Sequence, residues 1–372
     1  MSFKDGKLIS IFNKKDKFEL NSKGKYSIGG LRIHNDRGDG YYIGRIGKIH
    51  HMYDLQLEVL EKGPVRTVVK LNAKLKCKSK ILFKSINEIT QYIIMPNFGD
   101  VRIDFITIFY NNIRNIRIQA CFPIPISNPT IRSEIPYGFI ERNIEPKVGK
   151  SWKEINKHFE HYDRIKPVIN WMDFSNIKEK KGVSIINYGI PEYEIGKNKD
   201  SCLLTLMRST GLLTNIIYGT VPAMAGPFYR IPKAYAIGDH TFKYSLYLHN
   251  GDFSNNLIAR EAQNFNIPLI VRKIKHNKGK LGSEFSLFSI EPENFIVTSI
   301  KKPEDGNNGL LIRLLETSGK KSKGTVKFNQ KIKNVKKVNL LELPIEEMKI
   351  ENDNSFTYES NPQEILSFII KI

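Results

Sequence analysis

The dominant period along the chain is two. Between Arg66 and Lys76, the apolar Val69, Leu71, Ala73 and Leu75 alternate with Lys70, Asn72, Lys74 and Lys76. Val101, Ile103 and Phe105 alternate with Arg102 and Asp104. Ile116, Ile118, Ala120 and Phe122 alternate with Arg117, Gln119 and Cys121, and Phe242, Tyr244, Leu246 and Leu248 with Lys243, Ser245 and Tyr247. Alternation of this kind predicts strands with one face in a core and one in water. Turn residues punctuate the runs: Asn97-Phe98-Gly99-Asp100, Glu304-Asp305-Gly306-Asn307-Asn308-Gly309 and Ser318-Gly319. Helical spacing is scarce, with short stretches at Trp152 to His161 and Asn256 to Gln263. The pattern predicts an all-β fold of antiparallel sandwiches.

The runs fall into two parts, 1–270 and 271–372. The segment Arg272 to Gly282 between them is basic and bears glycine, as a linker or an exposed hairpin does. Strands resume at Phe285, and Ile365 to Ile372 reads as a closing strand.

Composition adds limits. The chain has 372 residues, 40% of them hydrophobic, which is enough to bury a core and excludes a disordered chain. No run approaches the ~18 apolar residues of a membrane-spanning helix. Met1 to Ser10 lacks an apolar run behind its lysines, so no secretory signal is expected. Cys77, Cys121 and Cys202 are odd in number and far apart, which points to a reducing compartment, read as the cytoplasm.

The formal net charge is +20, from 58 Lys or Arg against 38 Asp or Glu. A polyanion site is one explanation. The distribution favours another, because residues 271–340 hold 16 basic and 6 acidic residues, +10, and their lysines alternate with apolar positions. Thr325-Val326-Lys327-Phe328 is the pattern of a strand with a solvated face. No nucleic-acid partner is therefore expected.

Catalytic machinery is hard to assemble from these residues. His34 and Asp36 stand two apart and would share a strand face, but zinc needs three or four converging ligands. His50-His51 would point apart, and His158 and His161 sit in a charged stretch. There is no Gly-x-Ser-x-Gly elbow, and Ser27-Ile28-Gly29-Gly30 lacks the spacing of a phosphate loop. The densest polar cluster is His34 to Tyr42, which reads His-Asn-Asp-Arg-Gly-Asp-Gly-Tyr-Tyr. Carboxylates and Arg can bind vicinal hydroxyls and a ring can stack on a sugar, but an Asp–Arg bridge closing a tight loop fits equally well. In Glu134 to Asn143, Glu134 and Glu141 could form an acid/base pair of the kind used in sugar hydrolysis, with a Glu141–Arg142 ion pair as the structural alternative.

The order of segments resembles the C-terminal β-rich half of family 38 glycoside hydrolases, the α-mannosidases. Asn35-Asp36-Arg37-Gly38-Asp39-Gly40-Tyr41 is similar to the family's Asp-x-Gly-Asp-x-Tyr loop. Glu134-Ile135-Pro136-Tyr137-Gly138-Phe139-Ile140-Glu141-Arg142 resembles its Glu-x-Pro-(Phe/Tyr)-Gly-x-x-x-Arg segment. Trp171 to Ser175, Gly182 to Asn187, Leu203-Leu204-Thr205-Leu206-Met207-Arg208-Ser209 and Val297 to Gly319 follow in the family's order. The resemblance implies a large antiparallel super-sandwich of the galactose-mutarotase type over 1–270 and a small β-sandwich over 271–372. It implies retaining hydrolysis of α-mannosides by an aspartate nucleophile, with zinc holding sugar hydroxyls. In the family these groups belong to an N-terminal catalytic domain, so no catalytic residue and no metal ligand is expected in this chain.

What carries over is the loop that reaches toward substrate: Asp36, Arg37, Asp39 and Tyr41, with Tyr41 foremost and Tyr42 next if the register shifts by one. A separately encoded N-terminal chain is then the implied partner. A stand-alone carbohydrate-binding module is the alternative, and an epimerase would need a His base that no motif supplies.

Overall fold

A computed structural model describes residues 1–22, 26–36, 38–41, 43, 47–79, 82–97, 102–142, 164–196, 198–214, 227–255, 257–276, 278–279, 281–306 and 308–372. They form antiparallel sheets and one α-helix, Ile258–Asn266. The expected strands are present and longer than their apolar cores: Arg66–Ser79, Arg102–Asn111, Ile116–Pro123, Gly238–His249 and Ile365–Lys371. The stretch Trp152 to His161 lies outside the described residues. No described helix is long and apolar enough to cross a membrane.

The chain divides into two compact units, Met1–Ser133 with Glu141–Gly251, and Glu134–Ile140 with Asp252–Ile372. The division falls after Gly251, not at the 270/271 boundary that composition suggested. The reason lies in the helix, which is fixed to the second unit. Arg260 Nη2 donates to the Glu293 carbonyl at 2.9 Å and Gln263 Nε2 to the Val297 carbonyl at 2.6 Å. Just before it, the Phe253 ring meets Phe139 edge-on, with centroids 4.7 Å apart.

In the first unit a six-stranded sheet runs Ile165–Pro167, Glu192–Ile195, Ser201–Ser209, Ile116–Pro123, Gly30–Asn35, His50–His51. A larger sheet runs from Thr130–Ile135 through Trp171–Asn176, Lys181–Asn187, Gly238–His249, Arg102–Asn111, Leu82–Pro96 and Arg66–Ser79 to Tyr53–Lys62. Their inner faces meet in one core. Ile118, Ala120 and Phe122 come from one sheet, and Ile103, Phe105, Phe174, Ile185 and Leu246 from the other. Phe105 stacks on Tyr244 at 5.5 Å and takes the edge of Phe122 at 5.8 Å. The buried Tyr244 hydroxyl accepts from Gln91 Nε2, which also donates to the Gly29 carbonyl and to Thr107 Oγ1. The Gly29-Gly30 pair thus serves packing: Gly29 has φ +71°, and a Cβ there would lie 2.5 Å from the Phe105 ring.

All three thiols are buried and free. Burial pushes Cys77 up to about 11 and Cys121 up to about 12, and it raises Cys202 well above its ordinary range.

The second unit is a smaller sandwich. Phe288–Glu291, Ser322–Phe328 and Ser355–Ser360 form one sheet. The other runs Phe295–Lys301, Leu310–Glu316, Ile365–Lys371, Asn334–Val338, Pro344–Glu347. Phe295, Leu314, Val326, Phe328, Phe356 and Phe368 fill the space between them. The alternation is kept: Gly324, Val326 and Phe328 are buried and Lys327 is exposed. The described residues of the basic segment after the helix lie outside every sheet and form no hairpin.

Candidate functional site

The polar loop begins where strand Gly30–Asn35 ends. Asp36 is fully buried, and its backbone N–H donates to the Asn115 carbonyl at 2.9 Å. Its carboxylate accepts from Gly38 N at 2.9 Å and from Arg208 Nε at 2.5 Å. Asp39, also buried, accepts from Tyr41 N at 2.9 Å. Each aspartate bonds the backbone two residues on, so the loop makes two successive Asx turns. The segment after strand Ser201–Ser209 closes it from outside. Thr210 Oγ1 donates to the Gly38 carbonyl, and Gly40 N to the Leu212 and Leu213 carbonyls.

These bonds sort the expected residues. Asp36 and Asp39 are spent inside the loop, and Tyr41 stands 53% exposed on its rim. Arg37 and Tyr42 lie outside the described residues. The arginine that closes the loop is Arg208, a residue that the motif reading passed over as part of a strand. Its signal is the single charged residue in Ser201–Ser209.

Beside the loop, the outer face of the six-stranded sheet is charged and buried. Arg117, wholly buried, donates to Glu194 at 2.8 Å, Glu192 at 2.7 Å and Thr205 Oγ1 at 2.9 Å. Arg32 donates to Gln119 Oε1 at 2.6 and 2.8 Å and to Glu194 at 3.1 Å. Gln119 Nε2 donates to Glu194 and Thr205. Alternation alone placed Arg117 and Gln119 in water. They are buried because each finds a partner on a neighbouring strand. Burial by itself would raise the Glu194 carboxyl, but Arg117 and Arg32 outweigh it and hold it below the usual carboxylate range.

His34 shares this strand and is buried, with Nδ1 3.0 Å from the Asn35 carbonyl. Burial, with Arg117 and Arg32 nearby, depresses its pKa and keeps the imidazole neutral. Two guanidiniums beside it make a poor setting for a cation. Among the described residues no three His, Cys, Asp or Glu side chains gather in a metal-binding group. His158 and His161 lie outside the described residues.

A second buried pair sits on the large sheet. His249 Nε2 is 2.8 Å from Asp173 Oδ1, which also accepts from Ser184 Oγ at 2.7 Å, while Oδ2 accepts from Ser175 Oγ at 2.6 Å. Gly251 N donates to His249 Nδ1 at 3.2 Å, which leaves the proton on Nε2, facing Asp173. Burial would raise Asp173; His249 and the two hydroxyls outweigh it and hold the carboxyl low. Gly182 makes room, since a Cβ there would lie 2.0 Å from the His249 ring. The serines bond the aspartate and not the histidine, so this is not a nucleophile–base pair.

In the Glu134–Arg142 stretch, Glu141 and Arg142 do not pair with each other. Glu141 pairs with Arg132 at 2.8 Å, while Arg142 donates to Ser133 Oγ and the Pro167 carbonyl.

The chain has counterparts among known proteins. Residues 1–212 match the glycosyl hydrolases family 38 C-terminal domain, and residues 294–368 the family's C-terminal beta sandwich domain. The chain is 24% identical to an α-mannosidase of Saccharomyces cerevisiae over 306 residues, covering 76% of this chain and 25% of that protein. It is 25% identical to α-mannosidase G of Dictyostelium discoideum over 280 residues, covering 73% of this chain and 21% of that one. The solved structure of an α-mannosidase from Enterococcus faecalis V583 superposes with a TM-score of 0.78 at 18% identity, over 97% of this chain and 40% of that one. The chain thus spans about a quarter of the length of these curated relatives. It belongs to glycosyl hydrolase family 38, of which it holds the C-terminal domain and the C-terminal β-sandwich.

Proposed function

We propose that this chain is the C-terminal β-half of an α-mannosidase, supplying scaffold and a substrate contact for the hydrolysis of α-mannosides. The observation that carries the reading is the ordered pair of C-terminal family modules across the chain, on a quarter of the relatives' length. In this reading the nucleophile and the acid/base come from the N-terminal part. Zinc, which the resemblance places there too, finds no matching donor set among the described residues here. The donors that the sequence brings closest, His34 and Asp36, are turned to the Asn35 carbonyl and to Arg208.

The chain's own contribution is made by the loop. Asp36, held by Arg208, and Asp39 fix its backbone. Tyr41 is offered outward, where its ring can stack on the apolar face of a mannose and its hydroxyl can bond a sugar oxygen. A positioned contact of this kind acts on rate through orientation of the bound sugar.

The test is an assay with an aryl α-mannoside. The purified chain alone, with added zinc or cobalt, is expected to show no turnover, and the chain with its N-terminal partner to restore it. Tyr41→Ala in the pair should lower kcat/KM about tenfold, ~1.4 kcal/mol of transition-state binding. Turnover by the chain alone would refute the reading. Saturable mannose binding by the chain alone, lost in Tyr41→Ala, would favour a free-standing carbohydrate-binding module instead.

A further inference from the structure

One segment of the second unit exposes more apolar surface than a solvated loop needs. After the helix Ile258–Asn266 the chain runs without secondary structure, and Ile267, Leu269, Ile270, Val271 and Ile274 are 69, 96, 82, 89 and 76% exposed. Contiguous apolar surface of this kind marks an interaction site. The segment is tethered at its N-terminal end, where Arg260 and Gln263 bind the helix before it to the carbonyls of Glu293 and Val297. An interaction surface held in this way loses less conformational freedom on binding.

We propose that residues 267–274 are a docking strap for the part of a family 38 α-mannosidase that lies N-terminal to the two modules present here; the inference rests on the function proposed above. Three observations select this occupant. The strap lies between the spans matched to the two C-terminal modules, 1–212 and 294–368, so neither module accounts for it. More than half of the Enterococcus faecalis chain has no counterpart here, and the modules that do match are the C-terminal ones. Lastly, residues 267–286 hold five basic side chains, Arg272, Lys273, Lys275, Lys278 and Lys280, against the single Glu284, +4. A second copy would bring two such cationic stretches together. The occupant is therefore an apolar stripe bordered by carboxylates on the N-terminal part.

Leu269→Asp combined with Val271→Asp tests the strap. Both side chains face solvent, so the variant should keep the wild-type melting temperature. Binding is measured by calorimetry against the polypeptide encoded N-terminal to this chain, expressed separately. The variant should bind at least a hundredfold more weakly, while Leu341→Asp, at a residue 79% exposed elsewhere in the same unit, binds as wild type. Unchanged affinity of the double variant, in a pair that turns over α-mannoside, overturns the strap and leaves the proposed function standing. Failure of the wild type to associate overturns both. A wild-type dimer in sedimentation that the variant dissociates, or binding to phosphatidylserine vesicles that the variant loses, assigns the strap to another occupant and likewise overturns it.

Discussion

Two strands with the same alternating pattern meet opposite surroundings. In Ser322–Phe328 of the small sandwich, Val326 and Phe328 are buried while Lys327 between them lies in water. In Ile116–Pro123 of the large one, Arg117 and Gln119 are as buried as the apolar residues between them. The first strand obeys the half-solvated reading, and the second violates it because its polar residues are satisfied laterally. Arg117 reaches two glutamates on strand Glu192–Ile195 and Thr205 on the strand between. A polar alternate position therefore means "not in this core", and only the presence of partners decides between water and a covered face.

The largest test of this difference is Arg117→Ala. It leaves Glu194 buried with less countercharge and should destabilise the first unit by about 3–5 kcal/mol. Trp171 is buried in that unit, so tryptophan fluorescence in a urea titration, read in a Trp152→Phe background, reports it. Arg208→Ala comes next. It removes a cation from the buried Asp36 and should cost about 2–3 kcal/mol in the same titration, with kcat/KM of the reconstituted pair falling as Tyr41 loses its fixed position. A restored kcat/KM in Arg208→Lys would show that charge alone suffices.

The buried carboxylates of the large sandwich then give it a pH signature. Asp173 and Glu194 are held low in the fold, so their stabilising effect is complete above the ordinary carboxylate range, about pH 4, and is lost as pH falls through the lowered folded values. Asp173→Asn should lower the melting temperature most near neutrality, and its gap from wild type should close with acidification. A constant gap down to pH 2 would remove Asp173 from the acid transition. The smallest effect belongs to Lys337→Ala. Its partner Glu346 is 3.7 Å away and half exposed, so circular dichroism melting should register at most about 0.5 kcal/mol.

The strands were legible because a sandwich writes its inner face into the sequence every second residue. The helix at 258–266 was legible in outline, yet its allegiance was not, since Arg260 and Gln263 bind backbone carbonyls that no side-chain pattern records. In the loop, Asp36, Asp39 and Tyr41 were found as a group. Their division into two turn-making carboxylates and one exposed ring was hidden, because it depends on Arg208, 172 residues away. The Asp173–His249 pair escaped for the same reason: neither residue sits in a motif, and the sheet brings them together across Gly182. The segment Arg272 to Gly282 reads in the sequence as a linker or an exposed hairpin, since a run of lysines and glycine looks alike whether it spans a gap or presents a surface.

The three thiols carry a last consequence, for where such a chain can work. Their odd number and spacing suggested reducing surroundings, but ionisation is what makes a thiol react, and Cys77, Cys121 and Cys202 are held protonated inside the fold. Sulfhydryls shielded in this way are poor partners for oxidation or disulfide exchange while the chain stays folded. Iodoacetamide should label the native chain far more slowly than the urea-unfolded one, and cysteine content is silent about the compartment.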